Sequence, residues 1–433
     1  MIIAMSLTLK NGLIVTPRGV LKGNLVVENG YISNIGVSVR SKGEVFDCDG
    51  CYVVPGFREQ HTHDIIGLTK FLTNPDRISR VSKALAGQGV TAFHLATVAM
   101  PFEDLLTYLK TCKTYMESYE NGVEGARFEG AYVEGTFINV ECAGAQPKDY
   151  IIPPNSPRAK HMLDSMLETG VVKFVNIVPD FGVDLIKYAV SKGVIVGCGH
   201  TKASAKKVEE AFNLGLKFIV HITNGAMGQS FKPFDGGGTY EAALTLPLYV
   251  EIIVDGYHVD FRYVSDIIER RIRKNRPHEV IAITDSAFPI KREVPVGEFR
   301  IFSTICCKHP VEDVLVVKGY FDGEEVKPAP PNTLCSSLLT MDRAFQNLLN
   351  MFTVNHSGFM IDVDSRSLDE SIRLVSMLTS SNQAKLEGLT DRGVIEKGMK
   401  ADLTVLRVEG APGCFNVKVE ATIVGGVIIE GLS

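Results

Sequence analysis

Between residues 56 and 290 the chain repeats one rhythm: an apolar run rich in β-branched residues, a short polar stretch, then a segment with apolar residues at helical spacing. Eight such runs are present: VVPGFREQHTH, VTAFHLATVA, ARFEGAYVEG, VVKFVNIVPD, VIVGCGHT, FIVHITNGA, VEIIVDGYH and VIAITDSAF. Between them, segments such as DRISRVSKALAGQ, FEDLLTYLKTCKTYMESY, SAKKVEEAFNLG and FRYVSDIIERRIRK place apolar residues three and four apart, which predicts amphipathic helices. Strand and helix in alternation predict parallel pairing, because a parallel strand needs a crossover long enough to hold a helix. Eight such units match a closed (β/α)8 TIM barrel better than an open doubly wound sheet, and no G-x-G-x-x-G opens the first helix.

The ends of the chain follow another pattern. LTLKNGLIVTP, GNLVVENGYISNIG and CYVVPG are short β-like runs separated by turn residues, and GVIEKGMKADLTVLRVEG and VEATIVGGVIIEG return to that habit after residue 392. VGEFRIF and VLVVKGYF read as strands inserted after the eighth unit, followed by helical patterns in SSLLTMDRAFQNLLNMF and SLDESIRLVSMLTSSNQAKLEG. The expected fold is therefore α/β: a (β/α)8 barrel over residues 56–394, beside a small β-sandwich domain built from residues 1–55 and 395–433.

Composition narrows the class of function. With 45% hydrophobic and 22% charged residues, the chain has material for a large core and no signature of disorder. A formal net charge of -5 supplies no basic footprint for nucleic acid or an anionic membrane, so a small-molecule substrate is the expected partner. No apolar run approaches the roughly 18 to 20 residues that span a bilayer, and the N-terminal run reads as strand and turn rather than a signal peptide. A cytoplasmic location follows as the expectation. The nine cysteines are scattered apart from Cys48/Cys51 and Cys306/Cys307, a pattern that fits reduced thiols, and the lone C-D-G-C reads as a turn between strands.

A barrel enzyme builds its site at the C-terminal ends of its strands, and here those ends form a set. Strand one ends in His61 and His63, strand three in Glu134, strand five in His200, strand six in His221, strand seven in His258 and strand eight in Asp285. Residues at i and i+2 share a strand face, so His61 and His63 can grip one ion. Imidazole and carboxylate suit borderline divalent metals such as zinc or iron, and one or two ions are expected. Glu134 can bridge two ions, and Asp285 can take a proton from activated water and return it to a leaving amine. Taken singly, an HxH pair fits a solvated strand end and His221 or His258 fits a satisfied core histidine. Joint placement on six strands is what points to a metal site. His94, His161, His278, His309 and His356 fall within strand two, on helices or in connections and read as structural, as does Lys173 near the start of strand four.

These residues resemble the amidohydrolase superfamily, and specifically the N-acetylglucosamine-6-phosphate deacetylases. The resemblance runs through PGFREQHTHDI, YVEGTFIN followed by GAQPKDYIIPP, GCGHTKASA, VHITNGAM, IVDGYHVD, AITDSA, SSLLTMDRAFQNL and IEKGMKADLTVLR. It implies that Glu134, His200 and His221 bind one metal, and that His61 and His63, with Glu134 bridging, hold a second. It further implies that Asp285 is the general acid/base, that Asn224 and Gly225 bind substrate, that His258 contacts a phosphate, and that the protein is a homodimer. The implied activity is metal-dependent deacetylation of an N-acetyl amino sugar.

Three departures touch the substrate side. Gln146 stands where the family has a carbonyl-polarising histidine, and an amide donates a hydrogen bond without charge. Asp235 stands where the family has a phosphate-binding arginine, with Lys232 a nearby substitute of poorer geometry. HITNGAM carries an extra glycine. Other readings are hydrolysis of a different N-acyl compound, such as N-acetylgalactosamine-6-phosphate, an unphosphorylated acetamido sugar or an acyl amino acid, or a metal-free binding protein on the same scaffold.

Overall fold

The computed structural model describes residues 6–225, 234–323 and 325–429. All eight expected strands form, in order: Phe57–His63, Val90–Ala96, Arg127–Phe137, Val172–Ile177, Ile195–Cys198, Phe218–Ile219, Tyr249–Ile253 and Val280–Ile283. Each lies parallel to the one before it in a single sheet. The sheet closes on itself just past strand eight, where the Asp285 N–H donates to the His61 carbonyl at 2.9 Å and the His63 N–H to the Ser286 carbonyl at 2.8 Å. Strand residues such as Val250, Ile252, Val280 and Ile281 are buried because helices cover the outside of the barrel and side chains fill the inside. The helices form where apolar spacing predicts them, at Pro75–Ala86, Phe102–Met116, Ala205–Asn213 and Phe261–Arg273. The first illustrates the local signals: the Asn74 side chain accepts the Asp76 N–H, and Pro75 opens the helix where its missing N–H costs nothing.

Side chains fill the barrel in layers. Tyr132, Phe174 and Phe218 form an aromatic layer with ring centroids 5.5 to 5.9 Å apart. Strand five admits the Phe218 ring only because Gly197 lacks a Cβ, which would sit 2.3 Å from it. Toward the strands' N-terminal ends lies a charged layer. Buried Arg58 pairs with both Glu129 and Glu387, Arg392 reaches Glu129 at 2.7 Å, and His94 lies 3.4 Å from Glu387. Two guanidinium groups thus balance two carboxylates. His94, Glu129 and Glu387 are close enough to resemble a metal site, but Arg58 and Arg392 already neutralise its two carboxylates.

Burial would raise the Glu129 and Glu387 carboxyls, but Arg58 outweighs it and holds both below the usual value of 4.5. A depressed carboxylate pKa contributes stability that is present above pH 4.5 and is lost as pH falls through the folded value. Arg58→Met should therefore cost about 3–5 kcal/mol at pH 7, since it leaves buried charge uncompensated. In urea unfolding, the gap between variant and wild type should narrow below pH 4.5; a gap independent of pH would contradict the assignment.

Both ends of the chain join one eight-stranded sheet. Ser6–Thr16 pairs with Gly19–Glu28 and with Tyr52–Pro55, and Leu403–Glu409 pairs antiparallel with Tyr52–Pro55 from the other side. The sheet has its own apolar cluster, including Leu9, Leu25, Val53, Leu403 and Ile423. Cys48 and Cys51 lie buried at a turn in it, and burial, with Cys51 and Asp47 adding to it, pushes the Cys48 thiol up to about 12. The insertion after strand eight is a five-stranded sheet from Glu298 to Ser337. Here the expectation of nine reduced thiols is corrected, because Cys306 is disulfide-bonded to Cys335 across that sheet. The partners lie on strands either side of Val314–Asp322, so strand order brings together cysteines that the sequence keeps 29 residues apart.

Candidate active site

The site is built at the strand ends, where the backbone leaves extended geometry. His200, His221 and Asp285 have φ of 55°, 25° and 48°, a left-handed conformation that side chains with a Cβ adopt at a cost, and it turns each side chain at the point where its strand stops. Asp285 is held from both sides: its N–H closes the barrel on His61, and its carbonyl accepts the Ser337 N–H at 3.1 Å from the inserted sheet. Strand one departs from regular register between Glu59 and Thr62, and irregularities of this kind re-aim side chains.

Four imidazoles converge on two carboxylates. Glu134 Oε1 lies 2.7 Å from His221 Nε2, 3.1 Å from His200 Nε2 and 3.8 Å from His61 Nε2, while Glu134 Oε2 lies 3.5 Å from His63 Nε2. Asp285 Oδ1 lies 3.0 Å from His63 Nε2 and 3.6 Å from His61 Nε2. The opposite ring nitrogens are all occupied. Nδ1 of His63, His200 and His221 faces the carbonyls of Ala96, Cys142 and Asn224 at 3.1, 2.8 and 3.2 Å, and Nδ1 of His61 faces Glu251 at 3.1 Å. A carbonyl only accepts, so Nδ1 carries the hydrogen and the Nε2 lone pair is what each neutral ring turns toward the carboxylates. With neutral rings acceptor meets acceptor around Glu134 and Asp285, a conflict that ring protons or a bound metal cation resolves. His61 Nε2 is buried without a hydrogen-bond partner. Among the described residues the ligand atoms fall into two compact groups here, His61–His63–Asp285 and Glu134–His200–His221. The donor set fits a divalent metal.

Charge follows the same geometry. Burial opposes ionisation of the Glu134 carboxyl, yet hydrogen bonds to His200 and His221 and the charge of His61 hold it well below the carboxylate range. Burial likewise pulls the His61 imidazole down, but Glu251, Glu134 and Asp285 outweigh it and raise it to about 10. For Asp285, burial is outweighed by His63, His61 and His221, and its pKa is lowered.

A cavity of about 360 Å³ opens over these groups. His63, Glu134, Gln146, His200, His221, Asn224, Gly225, His258 and Asp285 line it, while His61 sits behind them. Asn224 Nδ2 has no protein partner and is available as a donor. Gly225 has φ 62°, and a Cβ there would lie 2.9 Å from His200 Nδ1, so this loop packs against His200 only with glycine. His258 Nδ1 is held by Asp255 at 2.7 Å. Apolar Ile65, Val98, Ile301 and Leu334 complete the wall, and among the described residues no lysine or arginine lines it.

No family model matches the chain. A Bacillus subtilis N-acetylglucosamine-6-phosphate deacetylase is 26% identical over 417 residues, covering 93% of each chain. The structure of the Pasteurella multocida enzyme of that name superposes with a TM-score of 0.75 at 21% identity, over 98% of this chain and 99% of that one. A variant of the Mycobacterium smegmatis enzyme, in complex with N-acetyl-D-glucosamine-6-phosphate, superposes with a TM-score of 0.72 at 20% identity, over 98% and 99%. The chain is similar to these deacetylases over nearly its whole length.

Against the deacetylase pattern, the three departures fall in different places. Gln146 is buried and tied at both ends: its Oε1 accepts the Ala99 N–H at 2.7 Å and its Nε2 donates to Glu134 Oε2 at 2.6 Å. A backbone donor on one side and a carboxylate on the other leave only one orientation for this amide. Asp235 is exposed and lies off the cavity lining, its carbonyl accepting the Lys206 N–H. Lys232 and the HITNGAM residues beyond Gly225 lie outside the described residues. Lys173 is the second residue of its strand, remote from the strand's C-terminal end. No described helix is long and apolar enough to cross a membrane. Sequence reasoning passed over Glu251, Gln60 and Asp255, which orient the rim residues. Glu251 did carry a signal, as an ionisable residue in the apolar run VEIIV.

Proposed function

We propose that this chain is a metal-dependent amide hydrolase that removes the acetyl group from an N-acetyl amino sugar. The observation that carries the reading is the convergence of four imidazole Nε2 atoms on Glu134 and Asp285, a donor set able to hold a divalent cation. Glu134, His200 and His221 would hold one divalent ion, and His61 and His63, with Glu134 bridging, a second. Zinc and iron are the metals this donor set suits best. A divalent ion held there supplies Lewis acidity to the acyl carbonyl and to water.

The chain's own residues do the rest. Asp285, whose depressed pKa keeps it ionised, accepts a proton from the attacking water and returns it to the amine nitrogen as the C–N bond breaks. Amide and water become acetate and a free amine. Asn224 Nδ2 and the Gln146 amide donate to substrate oxygens, and Asp255 orients His258 toward the sugar. Ile65, Val98 and Leu334 exclude water from the reacting bond. The reading includes a cytoplasmic homodimer, an expectation of composition and resemblance together.

The cavity lining favours a second reading of the substrate. A buried phosphate dianion without a cationic partner is strongly disfavoured, and the described lining holds no lysine or arginine. A substrate lacking the 6-phosphate fits that lining better. A panel of N-acetylglucosamine, its 6-phosphate, N-acetylgalactosamine-6-phosphate and an N-acetyl amino acid, assayed with metal-loaded protein, separates the cases. The expected result is kcat/KM for the unphosphorylated sugar at least equal to that for the 6-phosphate. Turnover of 6-phosphates alone would overturn the second reading, and a metal-loaded chain that hydrolyses no member of the panel would overturn the first.

A further inference from the structure

We propose that Glu251 is a positioning residue that aims His61 at the metal site, an inference that rests on the metal-binding reading above. Glu251 is the middle residue of strand seven and is completely buried among Val250, Ile252 and Ile253. A carboxylate there costs several kcal/mol unless its oxygens are matched. They are matched, and by the site. Oε2 lies 3.1 Å from His61 Nδ1, 3.3 Å from the His221 backbone N and 3.5 Å from the Tyr132 hydroxyl, and Oε1 accepts from Gln60 Nε2 at 2.6 Å. One carboxylate thus gathers donors from strands one and three and from the turn after strand six. The consecutive residues Gln60 and His61, in the stretch where strand one departs from regular register, both reach it.

His61 differs from the other three imidazoles in this one respect. Their Nδ1 atoms face neutral carbonyls; that of His61 faces a carboxylate. With Nδ1–H donated to Glu251, the ring presents Nε2, the buried atom without a partner, toward Glu134 and Asp285. A carboxylate behind an imidazole both sets its orientation and makes it a stronger donor to a metal, and loss of such a partner typically costs 10- to 100-fold in metal affinity. Glu251 does not line the cavity. It acts through His61.

The test is a cycle of zinc affinities by chelator competition for wild type, Glu251→Gln, His61→Ala and the double variant. Glu251→Gln keeps the shape, and Gln60, whose Oε1 has no partner, can rotate its amide to accept from the new side chain. The expected result is a loss of about 10- to 100-fold in Glu251→Gln, with the double variant binding no more weakly than His61→Ala alone. Unchanged affinity in Glu251→Gln, or losses that multiply in the double variant, would overturn the proposal. A second measurement needs no variant at Glu251: zinc-loaded, histidine-labelled wild type should show an exchange-protected Nδ1–H resonance that disappears in His61→Ala, and its absence counts equally against the assignment. No substrate enters either measurement. A chain with Glu251-dependent zinc affinity and no amidase activity would sink the proposed function alone, whereas a wild-type chain that binds no zinc would sink both.

Discussion

Asp285→Asn should keep its fold and the metal held by Glu134, His200 and His221, and lose about 10²- to 10⁴-fold in kcat, the range over which a positioned general acid or base contributes. The amide keeps the size of the carboxylate, and the backbone contacts to His61 and Ser337 do not involve the side chain, so the barrel seam stays closed. What disappears is a group able to accept a proton and give it back. Because Asp285 Oδ1 also lies 3.0 Å from His63 Nε2, metal held by His61 and His63 should weaken, while metal held by Glu134, His200 and His221 should remain. Steady-state kinetics on the best substrate of the panel, with metal content measured on the same sample, is the check. An unchanged KM beside a reduced kcat marks an interaction made in the transition state, and a variant with bound metal and full activity would rule the role out.

A larger effect on metal is expected from Glu134→Gln. All four imidazole Nε2 atoms lie within 3.8 Å of this one carboxylate. Removing the charged partner of a buried ion cluster costs about 3–5 kcal/mol, which corresponds to roughly 10²- to 10⁴-fold in binding. Metal content should fall to background after dialysis against a weak chelator, and activity with it. Retention of wild-type metal stoichiometry would show that Glu134 is not the shared ligand.

The barrel was readable because its code is local. Each strand is a short apolar run, each helix has apolar residues at helical spacing, and the chemistry sits where the runs end, so His61, His63, Glu134, His200, His221 and Asp285 stand out as polar residues closing apolar strands. Their meeting followed from barrel topology. Less legible were the features set by contacts across the fold. Nothing near Cys306 announces Cys335, because their approach depends on how the inserted strands are ordered. Gln146 read as a substituted substrate contact, yet its amide is also clamped between Ala99 and Glu134, a tie that only the folded loop creates. Glu251 was visible as a misfit in an apolar strand, but its partner His61 is 190 residues away. Asp285 was expected beside the metals, and its grouping with His61 and His63 depends on the seam between first and last strands.

That seam sets a timetable for synthesis. The chain emerges from the ribosome in order, and the first strand, with His61 and His63, has no neighbour on its open side until Asp285 and Ser286 arrive. The carbonyl of Asp285 then waits for Ser337. A nascent chain thus carries the HxH through the synthesis of all eight strands without the geometry that completes the site. Under the proposed function, metal capture by the full ligand set would be an event of the finished barrel, and a truncation before residue 285 should lose function by leaving the ring open.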